Sequence, residues 1–280
     1  LQSRWTLSPT QDIAVGLSHN ERSPNLYQRE PWSTWAMAAI MNNFVGDGNG
    51  YIGNPNLKPE KATTLSADFD WHAADKSWQF GAQPFYTQVA DYIDAVQWNP
   101  MTNAPAAVRA KNQFVLLKYV NQTARLYGLN LSGKMPLGDS AIGKLGLQAL
   151  LNYTRGENRT TGDNLYGIMP LNARITLTQS AGGWNNAVEW VLVKAKTQVN
   201  AMRNEIPTGG YGLLNLRASY GWKQARLDFG VENVLNKLYD LPTGGAYVGQ
   251  GTTMSINGLP WGIAVPGPGR SVYLRGTVAF

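Results

Sequence analysis

Apolar and polar residues alternate one for one along most of this chain. In "GRSVYLRGTVAF" (269–280), Val272, Leu274, Val278 and Phe280 fall on one side, and Tyr273, Arg275, Thr277 and Ala279 on the other. "LNLRASY" sets Leu214, Leu216, Ala218 and Tyr220 against Asn215, Arg217 and Ser219. "ARLDFGVEN" sets Leu227, Phe229 and Val231 against Arg226, Asp228 and Glu232. "LNARITLTQ" (Leu171, Ala173, Ile175, Leu177 against Asn172, Arg174, Thr176, Thr178) repeats the pattern. So do "KLGLQALLNYT" (Leu145, Leu147, Ala149, Leu151, Tyr153) and "TLSADFDW" (Leu65, Ala67, Phe69, Trp71). A repeat of two predicts β-strands, and no long window carries helical spacing.

The links between these segments alternate in length. Short turns are expected near 8–11, 73–77, 136–140, 181–184 and 220–224, and long links near 22–59, 97–112, 156–169, 199–209 and 233–270. That divides the chain into about eleven strands, with every short turn on one side of the sheet and every long loop on the other. Short periplasmic turns, long extracellular loops and a dyad repeat are the layout of an outer-membrane β-barrel. A soluble sandwich with one solvated face is the alternative. It fits less well, because one face carries charges on nearly every strand while the other is almost free of them. Loops of about 35 residues are also uncommon in compact domains, where loops rarely exceed about 15. Trp5, Trp71, Trp78, Tyr86, Tyr153, Tyr220 and Phe280 fall towards strand ends, where amphipathic rings suit a membrane–water interface.

Composition agrees. Charged residues are 15% of the 280, against roughly 25% in soluble domains, while hydrophobic residues are 43%. No apolar run reaches about 18 residues, which excludes a transmembrane helix and leaves a barrel open. Cysteine is absent, so there is no disulfide framework, thiolate metal site or thiol nucleophile. The net charge of +6 is scattered, without a basic cluster or helix, and predicts no nucleic-acid partner. The chain begins on Leu1 without a signal peptide, which reads as a truncated or processed end.

Five segments occur in order: "ERSPNLYQRE" (21–30), "GNPNLKPEKATTLSADFDW" (53–71), "YVNQTARLYGLNLSGKMPLG" (119–138), "GVENVLNKLYDLP" (230–242) and the terminal "GRSVYLRGTVAF". Together they resemble the C-terminal half of a TonB-dependent outer-membrane receptor. The resemblance implies a 22-stranded barrel filled by an N-terminal plug that engages TonB. Residues 1–280 then read as the C-terminal part of the barrel domain, with the plug and the first half of the barrel absent. A complete small barrel is disfavoured, since bacterial barrels have even strand numbers. Arg270 and Phe280 form the terminal barrel signature, with Phe280 closing the last strand at the periplasmic interface. Pro59 fits the start of a strand, where no ladder donor is needed.

No catalytic set is legible. His19 is expected towards the extracellular end and His72 beside a periplasmic turn, too far apart to share a site. No H-E-x-x-H or phosphate-binding glycine loop occurs. "GDGNG" (46–50) lacks the acidic spacing of a calcium loop and reads as a flexible loop tip. Asp68 and Asp70 share one strand face and read as lumen residues. The expectation is therefore a non-enzyme with no cofactor and no resident metal.

The candidate ligand site is the extracellular mouth. Its aromatic members are Tyr27, Trp32, Trp35, Tyr51, Trp98, Tyr247 and Trp261, with Arg22, Arg29 and Arg109 nearby; such a set suits an anionic, aromatic metal chelate. Met37, Met41 and Met254, with Met101, Met169 and Met202, also fall in or beside these loops, and soft thioethers could ligate copper. What the resemblance implies is binding of a metal chelate, a ferric siderophore first, and its import with TonB. A TonB-dependent copper receptor, a passive porin and an outer-membrane enzyme remain as alternatives. The expected partners are outer-membrane lipid, the chelate, and TonB through the absent plug.

Overall fold

The computed structural model describes residues 1–31, 45–111, 113–247 and 263–279. In chain order its elements are β1 (Gln2–Ser8), β2 (Gln11–Arg22), the helical turn α1 (Leu26–Arg29), β3 (Gly50–Ile52), β4 (Glu60–His72), β5 (Gln79–Asn99), β6 (Ala104–Pro105), β7 (Leu116–Ser140) and β8 (Gly143–Asn158). β9 (Asn172–Ala181), β10 (Trp184–Val193), β11 (Tyr211–Gly221), β12 (Ala225–Glu232), β13 (Ala246–Tyr247), β14 (Ile263–Ala264) and β15 (Ser271–Val278) follow. Eleven of them form the path β1-β2-β4-β5-β7-β8-β9-β10-β11-β12-β15, each antiparallel to the next. β3 joins β7 and β6 joins β5, completing a 13-stranded sheet; β13 and β14 pair separately. The expected architecture of about eleven alternating strands is the one observed. The four short strands lie inside the long loops, where no alternating run foretold them.

Register explains the alternation. One row across the sheet reads Trp5, Ile13, Phe69, Ala82, Leu131, Leu151, Ala173 and Leu192. The row beside it reads Thr6, Asp12, Asp70, Gly81, Ser132, Leu150 and Arg174. Every strand thus turns its apolar set outward and its polar set inward, because a slip of one residue would exchange the two faces. The rule has exceptions: the doubled leucine of "ALLNY" leaves Leu150 on the polar row, Phe85 turns inward over Gly128, and the outward rows of β7 and β8 become charged near the loops at Arg125, Arg155 and Glu157.

One turn differs from expectation. β7 does not turn at 136–140 but continues to Ser140, because a register shift between Pro136 and Gly138, with Gly138 at φ +106°, absorbs the proline. A second irregularity, between Val89 and Tyr92 of β5, sets two residues against one, with Asp91 at φ +54°. Below it the odd-numbered residues Gln79 and Gln83 point inward; above it Tyr92 and Asp94 share the inward row with Gln122. The bulge is what brings Asp94 to the inside.

Rings gather at both ends of the outer face. Trp71 lies 5.7 Å from Phe80, and Trp184 lies 5.0 Å from Tyr220, beside the short turns. Tyr86 pairs with Tyr127, and Tyr153 with Leu129, at the other end. Both apolar clusters belong to the loop end. One holds Tyr51, Leu57, Ile93, Ala95, Val115, Leu117 and Tyr119; the other holds Val89, Ala124 and Leu165.

Candidate ligand-binding site at the loop end

The loops are joined by buried polar groups, with Arg203 of the β10–β11 loop at the centre. Its guanidinium donates to Asp94 Oδ1 from Nη2 at 2.9 Å and from Nε at 3.2 Å, and to the Tyr51 hydroxyl at 3.1 Å. Asp94 is 2% exposed and Arg203 7%. The second Asp94 oxygen accepts from Asn158 Nδ2 at 2.9 Å, and Asn158 also donates to Gln122. Tyr51 donates to Asp47 and stacks on Tyr119 with ring centroids 4.9 Å apart. Burial pushes the Tyr51 hydroxyl well above the ordinary tyrosine range, and Asp47 pushes the same way against the opposing pull of Arg203. Tyr51 therefore stays neutral and donates to Asp47 across the physiological range.

The same loop is bonded to its other neighbours. Lys196 donates to Glu205 and, at 2.8 Å, to the carbonyl of Pro242. Glu205 accepts from the backbone of Gly167 and of Asn200. Asp163 accepts from the backbone of Met202 at 2.9 Å, and Asn49 Nδ2 donates to the Arg203 carbonyl at 2.7 Å. Ala246 donates to the Gly46 carbonyl at 2.7 Å. Segment 46–50 is consequently not a flexible tip: Asp47 and Asn49 are buried because other loops close over them. A Cβ on Gly245 would lie 1.9 Å from the Gly46 carbonyl oxygen, so only glycine permits that approach.

The candidate residues separate into four groups. Arg22, Tyr27, Trp98 and Arg109 stand at the loop end with part or all of the side chain open. Arg22 Nε donates to Glu60 at 2.6 Å, and Lys118 Nζ sits 4.1 Å from the Trp98 ring centroid. Tyr27 on α1 is 56% exposed, and Arg109 Nη1 lies 3.9 Å from Asp163. Tyr51 is inside the network. Tyr247 pairs with Ile263, and Arg270 takes its place through its backbone N–H on Asn236 at 3.0 Å. Trp32, Trp35, Met37, Met41, Met254, Trp261 and Phe280 lie outside the described residues. Of the other methionines, Met202 packs on the loop cluster and accepts the Gln97 N–H at 3.3 Å, whereas Met101 is exposed.

His19 and His72 lie at opposite ends of the wall. His19 pairs with Thr63 near the loops, and His72 contacts Asp12 beside the short turns. Asp12, Asp70 and His72 come within 4.8 Å of one another, but Asp12 is already bonded to Thr6, Arg4 and His72, and Asp70 to Gln79. Their arrangement is accounted for by these bonds. Arg203, Asp94, Asn158, Lys196 and Glu205 had no sequence signal: each is a polar residue in or near a polar loop.

Below the loops the inner face is open and uneven in charge. A concavity of about 410 Å³ is lined by Arg4, Asp12, Asp68 and Asp70; another of about 780 Å³ is lined by Arg217, Arg226, Asp228 and Arg275. Carboxylates dominate the first and guanidinium groups the second.

An open antiparallel wall, polar inside and apolar outside, with loops joined at one end, defines an outer-membrane barrel protein. Residues 3–234 match the family described as TonB dependent receptor-like, beta-barrel, and the chain belongs to that family. It is 27% identical over 259 residues to the Heme/hemopexin utilization protein C of Haemophilus influenzae (strain ATCC 51907 / DSM 11121 / KW20 / Rd), covering 84% of this chain and 34% of that protein. It is 27% identical over 206 residues to the Hemin receptor of Yersinia enterocolitica, covering 72% of this chain and 29% of that one. The chain thus spans about a third of the length of the curated relatives it matches. In fold it is similar to the copper transporter OprC (TM-score 0.74, 21% identity, 100% of this chain and 40% of that one). It is also similar to the ferric enterobactin receptor of Pseudomonas aeruginosa (TM-score 0.71, 18% identity, 100% and 40%).

Proposed function

We propose that this chain forms part of the wall and part of the ligand mouth of an outer-membrane receptor that imports an iron chelate, driven through TonB. In this reading the plug that would engage TonB and the remaining strands of a 22-stranded barrel belong to other parts of the receptor, in keeping with a chain that spans about a third of its curated relatives. Heme is the first ligand to test. The observation that carries this reading is the likeness, over 84% of the chain, to a protein named for heme and hemopexin use. The chemistry agrees: a flat aromatic macrocycle with carboxylates suits the exposed ring of Tyr27 and the half-buried ring of Trp98, with Arg22 and Arg109 at the same end of the wall. A ferric siderophore, also aromatic and anionic in its catecholate class, is the second reading and rests on the same side chains. Copper is the third reading: among the described residues, Met202 is committed to packing and Met101 is exposed. We assign no covalent chemistry to this chain.

The test uses the full-length receptor in an outer-membrane host lacking its own heme and siderophore receptors. Growth on heme as sole iron source, with saturable heme binding by the purified receptor, is expected. Growth on a ferric catecholate and not on heme would move the assignment to siderophores. Growth on neither overturns the iron-chelate reading.

A further inference from the structure

α1 is a single helical turn at the loop end, and it has no core of its own. None of its residues is buried, and Leu26 and Tyr27 are both exposed. Four residues do not hold a helix in water, where about 12–15 are needed for even marginal stability. Its place comes from bonds to the rest of the chain.

One set of bonds runs through Gln28. Asn25 caps the turn: its side chain accepts from the Gln28 N–H at 2.9 Å, and Gln28 Oε1 accepts from the Asn25 N–H at 3.1 Å. The same Oε1 accepts from Nη1 of Arg22, at the end of β2, at 3.3 Å. Arg22 Nε donates to Glu60 Oε2 at 2.6 Å, and the other Glu60 oxygen accepts from the Ile93 N–H of β5 at 2.8 Å. Glu60 is buried at the start of β4, so α1 is tied through Arg22 to a fixed carboxylate. A second set comes from residues 53 and 54. The Gln28 carbonyl accepts from the Asn54 N–H at 3.0 Å, and the Pro31 carbonyl from the Gly53 N–H at 2.7 Å. Asn54 Nδ2 donates to the Tyr119 carbonyl of β7 at 3.1 Å. A Cβ on Gly53 would lie 2.1 Å from the Arg29 carbonyl oxygen, so the turn rests directly on the backbone there.

We propose that Arg22 and Gln28 are positioning residues for ligand binding: with Glu60 they tether α1 to the wall and hold the Tyr27 ring at the mouth. Arg22 acts through α1 and not by touching the chelate. Its charge is already matched by Glu60, so an anionic ligand gains little from it. The role rests on chelate binding at the mouth, as proposed above.

The test uses the full-length receptor in nanodiscs, with heme and its dimethyl ester as probes, and amide hydrogen exchange across residues 26–30. Arg22→Met removes both of its bonds; Gln28→Ala breaks the link to α1 and leaves Arg22 on Glu60. Both should speed exchange in α1 and weaken heme binding by about fivefold, the loss expected when one aromatic contact goes. Added to Tyr27→Ala, neither should weaken binding further, because the ring they place is already gone. The dimethyl ester, which carries no carboxylate charge, should lose as much as heme does. Gln28→Glu keeps the acceptor for Asn25 and Arg22 and should bind as wild type. An Arg22→Met loss confined to heme and absent with the ester would mean that Arg22 pairs with the carboxylates, and would overturn the proposal. So would unchanged exchange in α1, or losses that add to that of Tyr27→Ala. If Arg22→Met fails to fold, Gln28→Ala decides by exchange and additivity. If the wild-type receptor binds no heme, the ligand role falls with the iron-chelate assignment, while exchange still shows whether the tether exists.

Discussion

The two ends of this sheet are built on different physics. At the loop end, Asp94, Arg203, Asn158, Lys196 and Asn200 are buried with their partners, and the apolar clusters around Leu117 and Ala124 sit among them. In the middle of the wall, Leu65, Leu216, Phe229 and Leu274 are open on the outer face. The loop end carries its own interior. The wall takes its stability from lipid on one side, water on the other, and the backbone ladder between, which must be satisfied internally because lipid offers no hydrogen bonds. Damage at the loop end should therefore be local and polar, whereas damage in the wall should depend on the bilayer.

The largest expected effect is at the loop network. Arg203→Met leaves Asp94 buried without its cation, and breaking a buried pair from one side costs about 3–5 kcal/mol. Thermal unfolding of the full-length receptor should register it, and proteolysis should show cleavage in the loops before the wall strands are lost. Arg203→Met with Asp94→Leu should recover much of the loss, since neither charge is then stranded. If the double variant is no better than the single, the pair is not what holds the loops.

The wall comes next. Leu274→Arg places a charge on the lipid side of β15 and should cost about 2–4 kcal/mol if it lies near the bilayer midplane. Thr277→Arg, on the inner face opposite Arg226, should cost far less. Urea unfolding from vesicles measures both. Equal costs would mean that the two faces do not meet different solvents. Repeating the pair in bilayers of different thickness should move the Leu274→Arg cost and leave the Thr277→Arg cost in place.

The same contrast sets what could be read before the structure. The wall was legible because lipid and water impose a period of two that a few residues suffice to display: Leu145 to Tyr153, or Val272 to Val278, announce both strand and face. The loop end was not, because a buried asparagine in a loop and a solvated one are the same letter. "GDGNG" resembles a free loop tip, yet Asp47 accepts from Tyr51 and supports the Asn49 N–H. The bulge in "QVADYIDAV" has no glycine or proline to mark it, although it decides that Asp94 faces Arg203. Tyr51 was grouped with Tyr27 on composition alone, and only packing separates the two.

That separation yields the smallest and sharpest test. Tyr51→Phe removes a hydroxyl that donates to Asp47 and accepts from Arg203, leaving buried groups short of a partner at a cost of about 1–3 kcal/mol. Its effect on chelate binding should be no larger than the loosened loops produce. Tyr27 is exposed on α1, so Tyr27→Ala should cost less in unfolding than Tyr51→Phe. If its ring meets the chelate, binding should weaken by about fivefold, the worth of roughly 1 kcal/mol for one aromatic contact. Unfolding and heme titration on the two variants should therefore give crossed results: stability moves with Tyr51, affinity with Tyr27. A Tyr27→Ala receptor that binds as tightly as wild type would remove α1 from the mouth and leave Trp98 and the arginines to carry the described part of it.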